Sequence, residues 1–215
     1  MSDDLAAALT RLDEITRRLR VECPWDREQN ERSIVPHTVE EAYELADAAY
    51  SGDDAKLLDE LGDVLFQVYF LSLLLEERGA GGLADVANAC RAKLIRRHPH
   101  VFGLAEAAGS AGGAPIPFPE AETAAEVVRN WDQIKRDVEG SGEVFGSIPE
   151  TLPSTLYAKK ILRRARSAGH EWAGPGEDPG ERLLAAVRDA AEAGVDPELA
   201  LRQAADRFRN EVESS

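Results

Sequence analysis

The sequence predicts an all-α protein built as a helical bundle, and three observations carry that prediction. Ala, Leu, Glu and Arg dominate the 215 residues, and strand-favouring residues are sparse. Apolar residues recur at spacings of three and four in one segment after another. In the first half, short links separate those segments, which is the pattern of a bundle.

The elements follow in order. Leu5, Leu9, Leu12, Ile15 and Leu19 form one stripe, so residues 3–20 predict a first helix. "VECPWDREQN" breaks the pattern at Pro24. Residues 29–50 predict a second helix whose front Pro36 interrupts, so its clearest part runs from there to Tyr50. "SGDD" predicts a turn, with Asp53 or Asp54 as the N-cap of a third helix over 54–78. Leu57, Leu58, Leu61, Leu65, Val68, Leu71, Leu74 and Leu75 give that helix a wide apolar face. "GAGG" stops it, and a fourth helix over 83–97 ends before "HPHVFG". The Ala-, Gly- and Pro-rich residues 103–119 predict a mobile loop, followed by a helix over 120–139. After the irregular "GSGEVFGSIPETLPS", a basic helix is expected over 155–168, with shorter helices over 180–193 and 197–212.

Composition narrows the function. Hydrophobic content of 43% supports a real core, and the length suits one domain or one domain with an appendage. A formal charge of −15 argues against nucleic-acid binding. Cys23 and Cys90 stand alone, without CxxC spacing, so neither a disulfide framework nor an ordinary structural zinc site is expected. The N-terminus is amphipathic and acidic, unlike a signal peptide, and no apolar run reaches the ~18 residues of a membrane span. A reducing cytoplasm is the simplest compartment.

One set of acids stands out. Glu41 and Glu44 are three residues apart, about 60° around one helix, and Glu60 and Asp63 repeat that spacing on the next. An intervening turn would run the two helices antiparallel and let the pairs face each other. Four converging carboxylates repel, and a hard divalent cation resolves the repulsion. Oxygen ligands without His or Cys favour Mg²⁺, or Mn²⁺, over Zn²⁺. The competing reading is a solvated acidic face, since acids at this spacing are common on helices. Against it, Glu60 and Asp63 are flanked by Leu61, Val64 and Leu65, and Lys56, Glu60, Asp63 and Gln67 form one polar stripe.

Mg²⁺ is usually held by a few carboxylates plus substrate phosphates, so such a site implies a phosphate-bearing ligand. Arg91, Lys93, Arg96 and Arg97 offer cations for it, or they form a solvated helix end where cations suit the dipole.

The motifs together resemble a family. "EEAYE" at 40–44 followed by "ELGD" at 60–63 is similar to the EExxE…ExxD pattern of the MazG nucleoside triphosphate pyrophosphohydrolases. "CPWDREQ" at 23–29 and "KLIRRHPHVFG" at 93–103 resemble the segments that flank it there. The resemblance implies an all-α enzyme, a homodimer or higher, that hydrolyses NTPs and dNTPs to monophosphate and pyrophosphate with Mg²⁺. It implies metal ligation by Glu41, Glu44, Glu60 and Asp63. It makes Glu40, with Glu41, the candidate to orient or deprotonate water. Lys56 matches a phosphate-contacting lysine, and Lys93, Arg96 and Arg97 are further phosphate candidates. Trp25 is a base or ribose contact, or else a core anchor beside Pro24. His98 and His100, two apart around a proline, suit a structural role better than a metal pair.

The second half departs from the pattern. "LYAKKILRRARSAGHEW" (156–172) resembles the junction into the second domain of tandem MazG proteins, and "GVDPELALRQAADRFRNEVE" (194–213) resembles that domain's last helix. No EExxE or ExxD lies between them. The expected organisation is a MazG-like domain over 1–140 and a shortened, metal-ligand-free region over 141–215, with a packing role. A Mg²⁺-dependent NTP pyrophosphohydrolase, serving to clean the nucleotide pool, is the leading expectation. The alternatives are a catalytically silent nucleotide-binding regulatory module and a purely structural helical protein.

Overall fold

The computed structural model describes residues 2–103, 123, 126–127, 144–146 and 148–215, and among them every regular element is a helix. They are α1 (Ser2–Glu22), α2 (Pro24–Glu28), α3 (Glu31–Ser51), α4 (Asp54–Glu77), α5 (Leu83–Arg97), α6 (Pro99–Phe102), α7 (Ser154–Ser167), α8 (Pro179–Glu192) and α9 (Pro197–Glu213). The helix expected over 120–139 falls, but for residues 123, 126 and 127, outside the described residues. So does the loop over 103–119 beyond Gly103, and so does the boundary expected at residue 140.

The chain divides into two compact units, Met1–Leu94 and Ile95–Ser215. In the first, α3 and α4 form an antiparallel hairpin. Gly52 ends α3 at φ 72°, a left-handed conformation that glycine adopts without penalty. Asp53 then caps α4 by accepting from the backbone N–H groups of Ala55 and Lys56. At the far end of the hairpin, Ile34 of α3 packs with Phe70 and Leu74 of α4, and Phe66 and Leu71 lie against them. Between the two helices, the Thr38 hydroxyl donates to the Gln67 amide oxygen at 3.2 Å. α1 packs against α2 and α4. Arg17 bridges to Glu76 at 2.6 Å and Arg20 to Glu77 at 2.8 Å, holding the end of α1 to the end of α4. Arg20 also donates to the carbonyls of Asp26 and Gln29, which ties down α2.

Three details differ from the sequence expectation. α3 runs through Pro36 without a break, because the capping box of Asn30 and Ser33 and the buried Ile34 hold the turn before it. The segments around Pro24 and Pro99 are the short helices α2 and α6 rather than plain breaks, each with proline in its first turn. The apolar stripes are only partly covered: Leu5, Leu9, Ile15 and Leu19 of α1 and Leu58, Leu61, Leu65 and Val68 of α4 are exposed. Around α4 the buried side includes the polar Glu60, Gln67 and Ser72.

In the second unit, α7 packs against α8 and α9, and α8 against α9. Asp196 caps α9 through the N–H groups of Glu198 and Leu199, and its other oxygen accepts from Lys159 of α7 at 2.7 Å. Thr155 donates to Glu198 across the same pair. Arg188 lies over the ring of Trp172, 5.5 Å from its centroid. No helix among the described residues is long and apolar enough to cross a membrane.

Candidate functional site

The hairpin turn places the second half of α3 beside the first half of α4. Glu41, Glu60 and Asp63 each contribute a carboxylate oxygen to a group whose members lie within 4.8 Å of one another. Glu60 is only 8% exposed, and its Oε2 is buried without a hydrogen-bond partner. Glu41 is half-buried and Asp63 is exposed.

Electrostatics reflects this crowding. Burial, and then repulsion from Asp63, Glu44, Glu60 and Glu40, pushes the Glu41 carboxyl above its ordinary range. Burial, then Glu44, Asp63 and Asp59, pushes Glu60 up as well, with the Lys56 ammonium opposing. An orphaned buried carboxylate oxygen beside two more carboxylates is a poor arrangement for a bare protein. It suits a hard divalent cation, and the donor set is oxygen throughout. Glu41, Glu60 and Asp63 can hold such an ion. Glu44 is exposed and lies outside the 4.8 Å group, yet its charge reaches both Glu41 and Glu60.

The other predicted residues are distributed unevenly. Glu40 is exposed, one position before Glu41, with an oxygen 3.7 Å from His37 Nδ1. Lys56, Asp59, Gly62 and Asp63 line an open depression of about 650 Å³ on α4, together with Asp53, Ala55 and Leu58. Trp25 of α2 is 51% exposed and meets His37 edge-on at 5.7 Å, so its indole is no buried core anchor in this unit. Lys93 is exposed on α5. Arg96 and Arg97, at the end of α5, belong to the second unit and are half-buried. His98 and His100 are also in that unit, with ring centroids 5.7 Å apart.

Gln67, placed by its spacing on the polar stripe, is instead buried against Thr38 as a link between α3 and α4. Asp59, which the sequence analysis does not single out, lines the depression and acts on Glu60. Its position three residues after Lys56 and four before Asp63 was the available signal. His37 was not singled out, and only its place three residues before Glu40 pointed to it.

A family model described as the MazG nucleotide pyrophosphohydrolase domain matches residues 29–102. The chain is 33% identical over 217 residues to a nucleoside triphosphate pyrophosphohydrolase of Escherichia coli, covering 86% of this chain and 77% of that one. It is 32% identical over 211 residues to the nucleoside triphosphate pyrophosphohydrolase/pyrophosphatase MazG of Thermotoga maritima, covering 86% and 76%. It is also 37% identical over 216 residues to an uncharacterized 26.1 kDa protein of Streptomyces cacaoi, covering 97% and 83%.

Proposed function

Because the chain belongs to the MazG family of nucleotide pyrophosphohydrolases, we propose that it hydrolyses nucleoside triphosphates to monophosphate and pyrophosphate with Mg²⁺, for which Mn²⁺ substitutes. One observation carries the metal: the buried, unpartnered Glu60 Oε2 within reach of Glu41 and Asp63 oxygens. Glu41, Glu60 and Asp63 would hold the cation, with Glu44 as the fourth ligand. When bound, the ion supplies charge neutralisation and a lowered water pKa.

The chain's own residues do the rest. Glu40, exposed beside Glu41, orients water and takes its proton as the water oxygen attacks the α-phosphorus. The bond from the α-phosphorus to the bridging oxygen breaks, and pyrophosphate leaves with that oxygen. Lys56, on the rim of the depression, meets phosphate charge. Trp25 offers an exposed indole face for stacking on the base or ribose, a contact that tolerates any base. The phosphate-contact roles of Lys93, Arg96 and Arg97 rest on the motif resemblance alone.

The exposed residues Leu61, Leu65 and Val68 on α4 support a homodimer, in which a second copy covers them. We assign residues 1–140 to the MazG-like domain and 141–215 to a shortened second one. In support, the three-carboxylate group on α3 and α4 has no counterpart among the described residues of α7–α9. Two free cysteines suit a reducing cytoplasm, and nucleotide-pool cleaning is the proposed role.

Hydrolysis in ¹⁸O-labelled water tests the reaction. The label is expected in the nucleoside monophosphate, with no reaction in EDTA. Label in pyrophosphate, or release of single phosphates, would contradict α-phosphorus attack.

A further inference from the structure

Gly62 sits well inside α4, between the acids Glu60 and Asp63. Glycine is a poor helix former, and two ordinary reasons excuse it within a helix. One is a positive φ, and Gly62 is not among the positive-φ glycines. The other is close packing, yet a Cβ built at Gly62 would meet nothing within 4 Å. Nothing among the described residues of the chain therefore explains the missing side chain.

The space in front of Gly62 is the depression of about 650 Å³ lined also by Lys56, Leu58, Asp59 and Asp63. That volume lies in the range of small-molecule sites. Around the helix, Gly62 falls between Leu58, four residues earlier on the apolar stripe, and the polar stripe carrying Glu60 and Asp63. A ligand with a charged end at the acids and an uncharged body would lay that body across Gly62 toward Leu58.

We infer that Gly62 is a substrate-contacting, specificity-determining residue: its bare backbone forms the floor on which the nucleoside part of a nucleoside triphosphate lies. The inference rests on the reading of the acidic group as the triphosphate site. A helix of a second copy at Gly62 is the competing occupant. Such a contact would desolvate Lys56, Asp59 and Asp63 together, at high cost, whereas an open pocket for a charged ligand leaves them hydrated.

Gly62→Ala separates the possibilities. Relieving the helix of glycine raises Tm by about 1–4 °C. The added methyl raises KM for the Mg²⁺-bound NTP on the order of tenfold, with kcat within about threefold of wild type. The Kd for a non-hydrolysable α,β-methylene NTP rises by the same factor, and gel filtration is unchanged. A KM or Kd within twofold of wild type, a fall in Tm, or a change in oligomeric state would each overturn the inference. Absence of NTP hydrolysis in the wild-type protein would instead remove the reading of the site on which it rests.

Discussion

Asp63→Asn should stabilise the metal-free protein and disable it in the same stroke. Asp63 faces Glu41 and Glu60 with carboxylate oxygens within 4.8 Å. Two unit charges at that separation repel by about 1 kcal/mol in a water-like dielectric and by about 3.5 kcal/mol at an effective dielectric of 20. Asp63 is exposed, so the lower figure applies, and salt screens it further. Neutralising Asp63 relieves two such contacts, in total about 1–2 kcal/mol, or about 2–8 °C in Tm for a chain of this size. The assay is thermal unfolding in EDTA and in excess Mg²⁺. In EDTA the variant should melt above wild type. At a Mg²⁺ concentration of about 100 Kd the wild type gains about 2.7 kcal/mol that the variant lacks, and the order reverses. A variant less stable than wild type in EDTA would refute the repulsion argument. An equal Mg²⁺ shift in both proteins would refute the ligand assignment.

Glu41 and Glu60 are held above their ordinary 4.5, so the folded state binds more protons than the unfolded one there; Tm in EDTA should fall as pH rises above about 4.5, and Mg²⁺ should flatten that fall. Glu76 and Glu77 are held below 4.5, first by hydrogen bonds from Arg17 and Arg20, so their contribution is complete above 4.5 and is lost as pH falls below it, a loss that Glu76→Gln or Glu77→Gln should reduce in acid titrations. Phe70 is 1% exposed at the centre of the α3–α4 core, and Phe70→Ala should cost about 3–5 kcal/mol in urea unfolding. Leu61→Lys, at an exposed position of the α4 stripe, should halve the mass measured by light scattering while leaving helical circular dichroism intact.

The legible part of the structure is the part set by local chemistry. Asp53 and the Gly52 turn announce the α3–α4 hairpin, and the spacing of Glu41, Glu60 and Asp63 follows once the hairpin is antiparallel. Periodicity fails where tertiary contacts decide. It shows that Leu58, Leu61, Leu65 and Val68 share a face, but not that Glu60 and Gln67 take the buried side of α4 while those four apolar residues stay exposed. Gln67 leaves the polar stripe because Thr38, on another helix, supplies its partner. Short helices such as α2 and α6 lie below the length at which any apolar period repeats, and only their leading prolines mark them. Pro36 misleads because its cost is offset by a capping box whose two members, Asn30 and Ser33, must be read together.

If the acids facing each other across α3 and α4 form the metal site of a nucleotide pyrophosphohydrolase, turnover must depend on both the ion and these carboxylates. The deciding measurement is pyrophosphate release from mixed NTPs and dNTPs, with Mg²⁺ or EDTA, for wild type, Glu44→Ala and Asp63→Ala. Release is expected from the wild type with Mg²⁺ only, and none from either variant, both retaining wild-type helical circular dichroism. Near-normal release by a folded Asp63→Ala protein, or release by the wild type in EDTA, would contradict that assignment.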